Sequence, residues 1–99
     1  MPPRIRALRV SRHAGEHMEE KHGVTAEEAM EAAHGARTYR RTHGGAGGER
    51  RYMAPGKTYG GRRLWVVVAD EGFGRGRIIS AWEPQSKADV SRHRQLSGE

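Results

Sequence analysis

The sequence predicts a single α+β domain over residues 1–99, with two N-terminal helices, a small antiparallel sheet of three to four strands and a C-terminal helix. Three observations carry this expectation. Leu64 to Ala69 is an apolar run rich in β-branched residues, without helical spacing and bounded by turn signals, as in a strand covered on both faces. Ile78 to Trp82 is a second such run. Between them, Asp70 to Gly76 holds three glycines in seven positions, and residues that accept positive φ are what a tight reversal between antiparallel strands requires.

Taken in order, Ile5, Leu8 and Val10 give a short apolar start among arginines, which fits either an edge strand or a lead into the first helix. Ser11 is positioned to cap a helix to about His22, with Ala14 and Met18 inward and Gly23 as its left-handed stop. Thr25 and Glu28 form a capping box. Ala26, Ala29, Met30 and Ala33 then repeat at the i, i+3, i+4, i+7 spacing of one buried stripe, ended by Gly35. The small alanine face implies close approach to the sheet, with the helices on one side of it.

Arg37 to Thr42 reads as an edge strand whose charges discourage aggregation. The glycine-rich stretch 43–49 reads as a flexible loop. Arg50 to Ala54 follows as a short strand with Tyr52 inward, and Pro55 to Gly61 as the turn into the central hairpin. Pro84 breaks the last strand. Ser86 and Asp89 cap a final helix to about Gln95 that carries Arg92, His93 and Arg94, and both chain ends are expected to fray.

With 99 residues and 34% hydrophobic content, only a modest core is available. The absence of cysteine removes disulfides, thiolate zinc sites and cysteine nucleophiles together, and suits a reducing compartment. The start lacks the apolar region of a secretory signal and no apolar run is long enough to cross a bilayer, so a cytoplasmic protein with no membrane partner is expected.

The formal net charge of +6 favours an anionic partner. Its distribution is more informative. Residues 15–35 hold six glutamates against the single Lys21, whereas residues 36–63 hold seven arginines and one lysine against the single Glu49. Such segregation predicts a dedicated basic surface, with a merely solvated face as the plainer reading.

Most motif-like fragments lack the context their chemistry needs. His13 and His17 lie i, i+4 on one helix face, but two ligands do not make a metal site, and neither metal nor cofactor is expected. Gly72, Gly74 and Gly76 imitate a phosphate loop, yet a strand rather than a helix follows them. Gly56-Lys57-Thr58 lacks the upstream glycine of a Walker A motif, and none of the serines sits in a nucleophile elbow. The arginines remain. Arg50, Arg51, Arg62, Arg63, Arg77, Arg92 and Arg94 fall at strand ends or on the last helix, where several can converge on one sheet face. Guanidinium groups bind phosphates bidentately and stay charged at neutral pH, which suits RNA binding or phosphodiester cleavage.

Three blocks in compact order, KHGVTAEEA at 21–29, RYMAPGKTYGGRRLWVVVAD at 51–70 and RIISAW at 77–82, together resemble the BrnT family of type II toxins within the wider RelE/ParE-like superfamily. The likeness runs from about Ser11 to Arg94. The opening SRHAGEHMEEKHGV also resembles related small domains of unknown function in which a histidine-containing helix precedes a similar sheet. The resemblance implies a RelE-like fold and a metal-independent endoribonuclease, neutralised by a cognate antitoxin with which it contacts operator DNA. Its substrate would be RNA, including mRNA on the ribosome. Arg51, Arg62, Arg77 and His93 are the catalytic candidates, and Lys21, His22, Arg50, Arg63, Trp82, Arg92 and Arg94 the candidates for RNA contact. Trp82 stands where family sequences commonly continue with arginine. The alternative is therefore a catalytically inactive toxin-like domain that binds nucleic acid or protein.

Overall fold

The computed structural model describes residues 5–44 and 46–98. The expected fraying of the chain ends falls on residues 1–4 and 99, and part of the glycine-rich loop on residue 45, outside the described residues. The chain runs β1 (Ala7–Val10), α1 (Arg12–His22), α2 (Ala26–Gly35), β2 (Arg40–Thr42), β3 (Arg50–Lys57), β4 (Arg63–Gly72), β5 (Arg75–Trp82) and α3 (Lys87–Leu96). The fold is α+β, built on one five-stranded mixed sheet in the order β1-β5-β4-β3-β2.

Helix boundaries follow from local chemistry. The Ser11 hydroxyl accepts from the Ala14 N–H at 3.1 Å, and Gly23 ends α1 in the left-handed region at φ 63°. At α2 the Thr25 hydroxyl accepts from the Glu28 N–H while the Glu28 carboxylate accepts from the Thr25 N–H, both at 3.1 Å. The buried stripe of α2 is Ala29, Ala32 and Ala33, with Ala26 and Met30 only half-buried. These alanines join Met18, Val24, Ala54, Leu64, Val66, Val68, Ile78 and Ala81 in one core on one sheet face.

The sheet departs from the expected three to four antiparallel strands in four respects. β1 is an edge strand parallel to β5, with Val10 opposite Ile78, a non-local pairing that four residues cannot announce. β3 continues through Pro55 and Gly56, where a turn was expected. Proline is tolerated because β2 pairs only with Arg51 to Met53, leaving Pro55 on an edge-like stretch. The loop after β4 closes on Phe73 and Gly74, with φ of 55° and 75°, so β5 begins at Arg75 rather than Ile78. β2 is limited to Arg40–Thr42, shorter than the expected 37–42.

The helices also do not share one face. Arg63 and Trp65 alternate away from the Leu64, Val66 and Val68 side, and α3 packs on them: Asp89 accepts from the Trp65 indole N–H at 3.2 Å, and the His93 ring meets Trp65 edge-on at 4.8 Å. α3 covers only that end of its face. The remainder, around Met53, Val67, Ala69 and Ser80, carries no helix among the described residues. No helix among the described residues is long and apolar enough to cross a membrane.

Two glycines test this packing in opposite directions. A Cβ on Gly56 would run into the Ala32 backbone carbonyl, so α2 rests directly on β3. A Cβ on Gly15 would meet Ala26 Cβ at 3.6 Å and Val10 Cγ1 at 3.7 Å, ordinary contact distances. Gly56→Ala is expected to lower the unfolding free energy by about 2 kcal/mol or more, and Gly15→Ala to raise it by up to about 1 kcal/mol. Urea titration checks both; a neutral Gly56→Ala would contradict the close approach.

Candidate functional site

Register assembles a charged row on the face that α3 leaves open. Ala69 of β4 lies opposite both Arg51 of β3 and Arg77 of β5, and Arg77 in turn lies opposite Arg9 of β1. Directly paired residues project to the same face, so these side chains share it. Arg51 and Arg77 are two strand spacings apart, roughly 9.5 Å between backbones.

Glu49, just before β3, spans that gap. Its carboxylate accepts from the Arg51 Nε–H at 3.1 Å and from an Arg77 terminal N–H at 2.7 Å. Glu71 continues the chain, accepting from Arg9 at 2.9 and 2.7 Å and from Arg77 at 3.4 Å. The result is an alternating run, Arg9–Glu71–Arg77–Glu49–Arg51. Hydrogen bonding from Arg77 holds the Glu49 carboxyl below its ordinary value of 4.5, and that from Arg9 does the same for Glu71. A carboxylate held low in the folded state stabilises it above the unfolded value, and that contribution is lost as pH falls below about 4.5 and through the folded value. The carboxylates are thus charged at neutral pH.

The segment preceding Glu49 turns sharply, with Gly47 at φ 81° and Gly48 at φ 76°. Those values suit glycine and bring the carboxylate back over the sheet.

The residues singled out in the sequence divide into three groups. Arg51 and Arg77 come together. Arg62 does not join them, since it precedes β4 seven residues before Ala69, roughly 23 Å at strand rise. There its guanidinium donates to Glu28 at 3.0 Å, to the Gly23 carbonyl at 3.0 Å and to Glu83 at 2.7 Å, tying both N-terminal helix junctions to the end of β5. Lys21, exposed, and His22 end α1 at this same extremity, where the His22 and half-buried Trp82 rings stand 6.2 Å apart.

His93 belongs to the third group. It is fully buried, and its Nε2 donates to the Leu64 carbonyl at 2.9 Å while Nδ1 faces the Arg63 guanidinium at 3.4 Å. A carbonyl only accepts, which fixes Nε2 as the protonated nitrogen. Both ring nitrogens are therefore engaged inside the protein. Arg92 and Arg94 are exposed on the same helix, and Arg50, one residue from Arg51, projects to the opposite face from it.

Sequence reasoning missed Arg9, Glu49 and Glu71. Arg9 enters only through the parallel β1 pairing. Glu49 carried a signal: it is the lone acid among the basic residues 36–63. No known protein-family model and no curated protein matches the chain.

His93 supports the fold in this geometry, so His93→Ala is expected to cost about 2–4 kcal/mol from the cavity and the unpaired carbonyl. Thermal unfolding measures it. A loss under about 0.5 kcal/mol would contradict the buried anchoring described above.

Proposed function

We propose that the chain is a toxin-like endoribonuclease resembling the BrnT family and of RelE-like fold, active in the cytoplasm and neutralised by a cognate antitoxin. One observation carries the reading: Arg51 and Arg77, from strands that are not neighbours, converge on a single carboxylate on an open sheet face. A phosphodiester presents two non-bridging oxygens and one negative charge, the same acceptor arrangement as the Glu49 carboxylate, so a pair of guanidinium forks that holds one suits the other. In this reading Glu49 marks the phosphate position in the free protein. The formal net charge of +6 supports an anionic substrate.

The reaction is attack of a ribose 2′-hydroxyl on its own 3′-phosphorus. The 2′-oxygen–phosphorus bond forms and the phosphorus–5′-oxygen bond breaks, leaving a 2′,3′-cyclic phosphate and a 5′-hydroxyl. Arg51 and Arg77 stabilise the extra negative charge on the pentacoordinate phosphorus. A partner protein silences the site by covering the open face with acidic groups, and operator DNA is contacted through that complex.

The alternative, a non-catalytic binding module, is favoured by a different observation. Arg77 already has carboxylate partners on both sides, and Trp82 stands where the resembled family commonly carries arginine. Electrostatic RNA binding is common to both readings, and cleavage separates them.

Purified protein is expected to cleave single-stranded RNA, with Arg51→Ala and Arg77→Ala each lowering the rate about 10²–10³-fold. Expression is expected to arrest growth, rescued by co-expression of the neighbouring open reading frame. Intact RNA with the wild type, together with salt-sensitive RNA binding, would favour the binding module.

A further inference from the structure

Phe73, at the tip of the β4–β5 hairpin, is placed against the preferences of both its backbone and its side chain. At φ 55° it is the only non-glycine residue with positive φ among the described residues, and it stands between Gly72 and Gly74. Such a turn favours glycine or asparagine, and a bulky residue there is strained. The ring gains no packing in return, since it is fully exposed. A residue both strained and uncovered points to a role outside the chain that carries it.

Its surroundings indicate which role. Phe73 lines a cavity of about 570 Å³ together with Ala7 and Arg9 of β1, Glu71 of β4, and Arg75 and Gly76 of β5. The volume falls within the range of about 300–1,000 Å³ typical of small-ligand pockets, enough for one nucleoside. Register puts the cavity on the open sheet face. Ala7 lies opposite Arg75 and Arg9 opposite Arg77, and residues two apart on a strand share a face, so all four side chains project to one side. The cavity therefore continues the charged row toward the hairpin tip. Arg75 precedes Arg77 by two residues, roughly 6.6 Å at strand rise.

The cavity's one carboxylate is already engaged, because Glu71 accepts from Arg9 at 2.9 and 2.7 Å and from Arg77 at 3.4 Å. Arg75 is exposed and has no ion pair among the described residues. One aromatic face and one uncommitted guanidinium are thus on offer, with no uncommitted acid beside them. Tyr59, the other exposed large aromatic among the described residues, is a contrast: it lines a cavity with Glu27 and Glu31 and without a basic residue.

We propose that Phe73 and Arg75 form a nucleobase site for single-stranded RNA beside the phosphate held by Arg77: a base stacks on the Phe73 ring while Arg75 contacts the adjoining phosphate. The inference rests on the RNA reading above, though not on cleavage. Every base has a π face, so such stacking tolerates sequence, and it requires a base free of a duplex. An acidic protein would satisfy Arg75 equally well. An aromatic ring between arginines, opening onto a row that holds phosphate, instead matches the alternation of base and phosphate along a single strand.

Fluorescence anisotropy with a labelled 2′-deoxy thymidine decamer, and with an abasic deoxyribose-phosphate strand of equal length, separates stacking from charge. The wild type is expected to bind the thymidine strand about tenfold more tightly than the abasic one. Phe73→Gly, which suits the backbone at φ 55°, should remove that preference and leave the abasic affinity unchanged, whereas Phe73→Trp should keep it. Arg75→Ala should weaken both strands alike. Binding without a preference for bases, or a preference that survives Phe73→Gly, would overturn the inference and leave the RNA reading standing. Binding of neither strand by the wild type would overturn both. Unchanged oligonucleotide binding by Phe73→Gly, with loss of its complex with the co-expressed product of the neighbouring open reading frame, would overturn the inference in favour of a protein partner.

Discussion

The alternating contacts Arg9–Glu71–Arg77–Glu49–Arg51 are the interaction on which the account of this protein turns. They draw together β1, β3, β4, β5 and the glycine-rich approach to β3 on one face. Their worth is not mainly in stability. Partly exposed ion pairs contribute about 0–1 kcal/mol each, whereas the alanine face of α2 and Val66 and Val68 of β4 are fully buried. What the contacts supply is position. Guanidinium groups that would otherwise sample many rotamers are held at fixed points on the sheet, each with a defined acceptor.

That arrangement depends on the opposite face. α2 rests on β3 so closely that Gly56 has no room for a side chain, and Arg62 fastens the junctions of α1 and α2 to the far end of β5. With both N-terminal helices committed to one side, the other receives only α3, which is anchored at one end by Asp89 and His93. The uncovered part of that face is where Arg51 and Arg77 project. The short α3 anchor and the open arginine surface are thus two consequences of one packing choice.

Much of the fold was legible in local sequence. Ser11, Thr25 with Glu28, Gly23 and Ser86 each mark a helix boundary through chemistry that operates within four residues, and all four act as caps in the structure. The central hairpin was equally plain from its apolar runs and glycines. What escaped was non-local. β1 became a strand only because β5 offers it a parallel edge, and Pro55 could stay in β3 only because β2 stops short of it.

The arginines show the same division. Composition pointed to a basic surface, but only register could separate Arg51 and Arg77, which share a row, from Arg62, which is consumed by structural contacts at the other end of the sheet. Glu49 stood out in the sequence as an isolated acid, yet its place between two guanidinium groups required the three-dimensional arrangement. The central claim is that an RNA phosphate takes the place of the Glu49 carboxylate between Arg51 and Arg77. NMR of the arginine Nε–H signals during titration with a non-cleavable 2′-deoxy oligonucleotide tests it most directly. Joint, saturable shifts of the Arg51 and Arg77 signals are the result predicted; signals that stay fixed while the oligonucleotide binds elsewhere would contradict it.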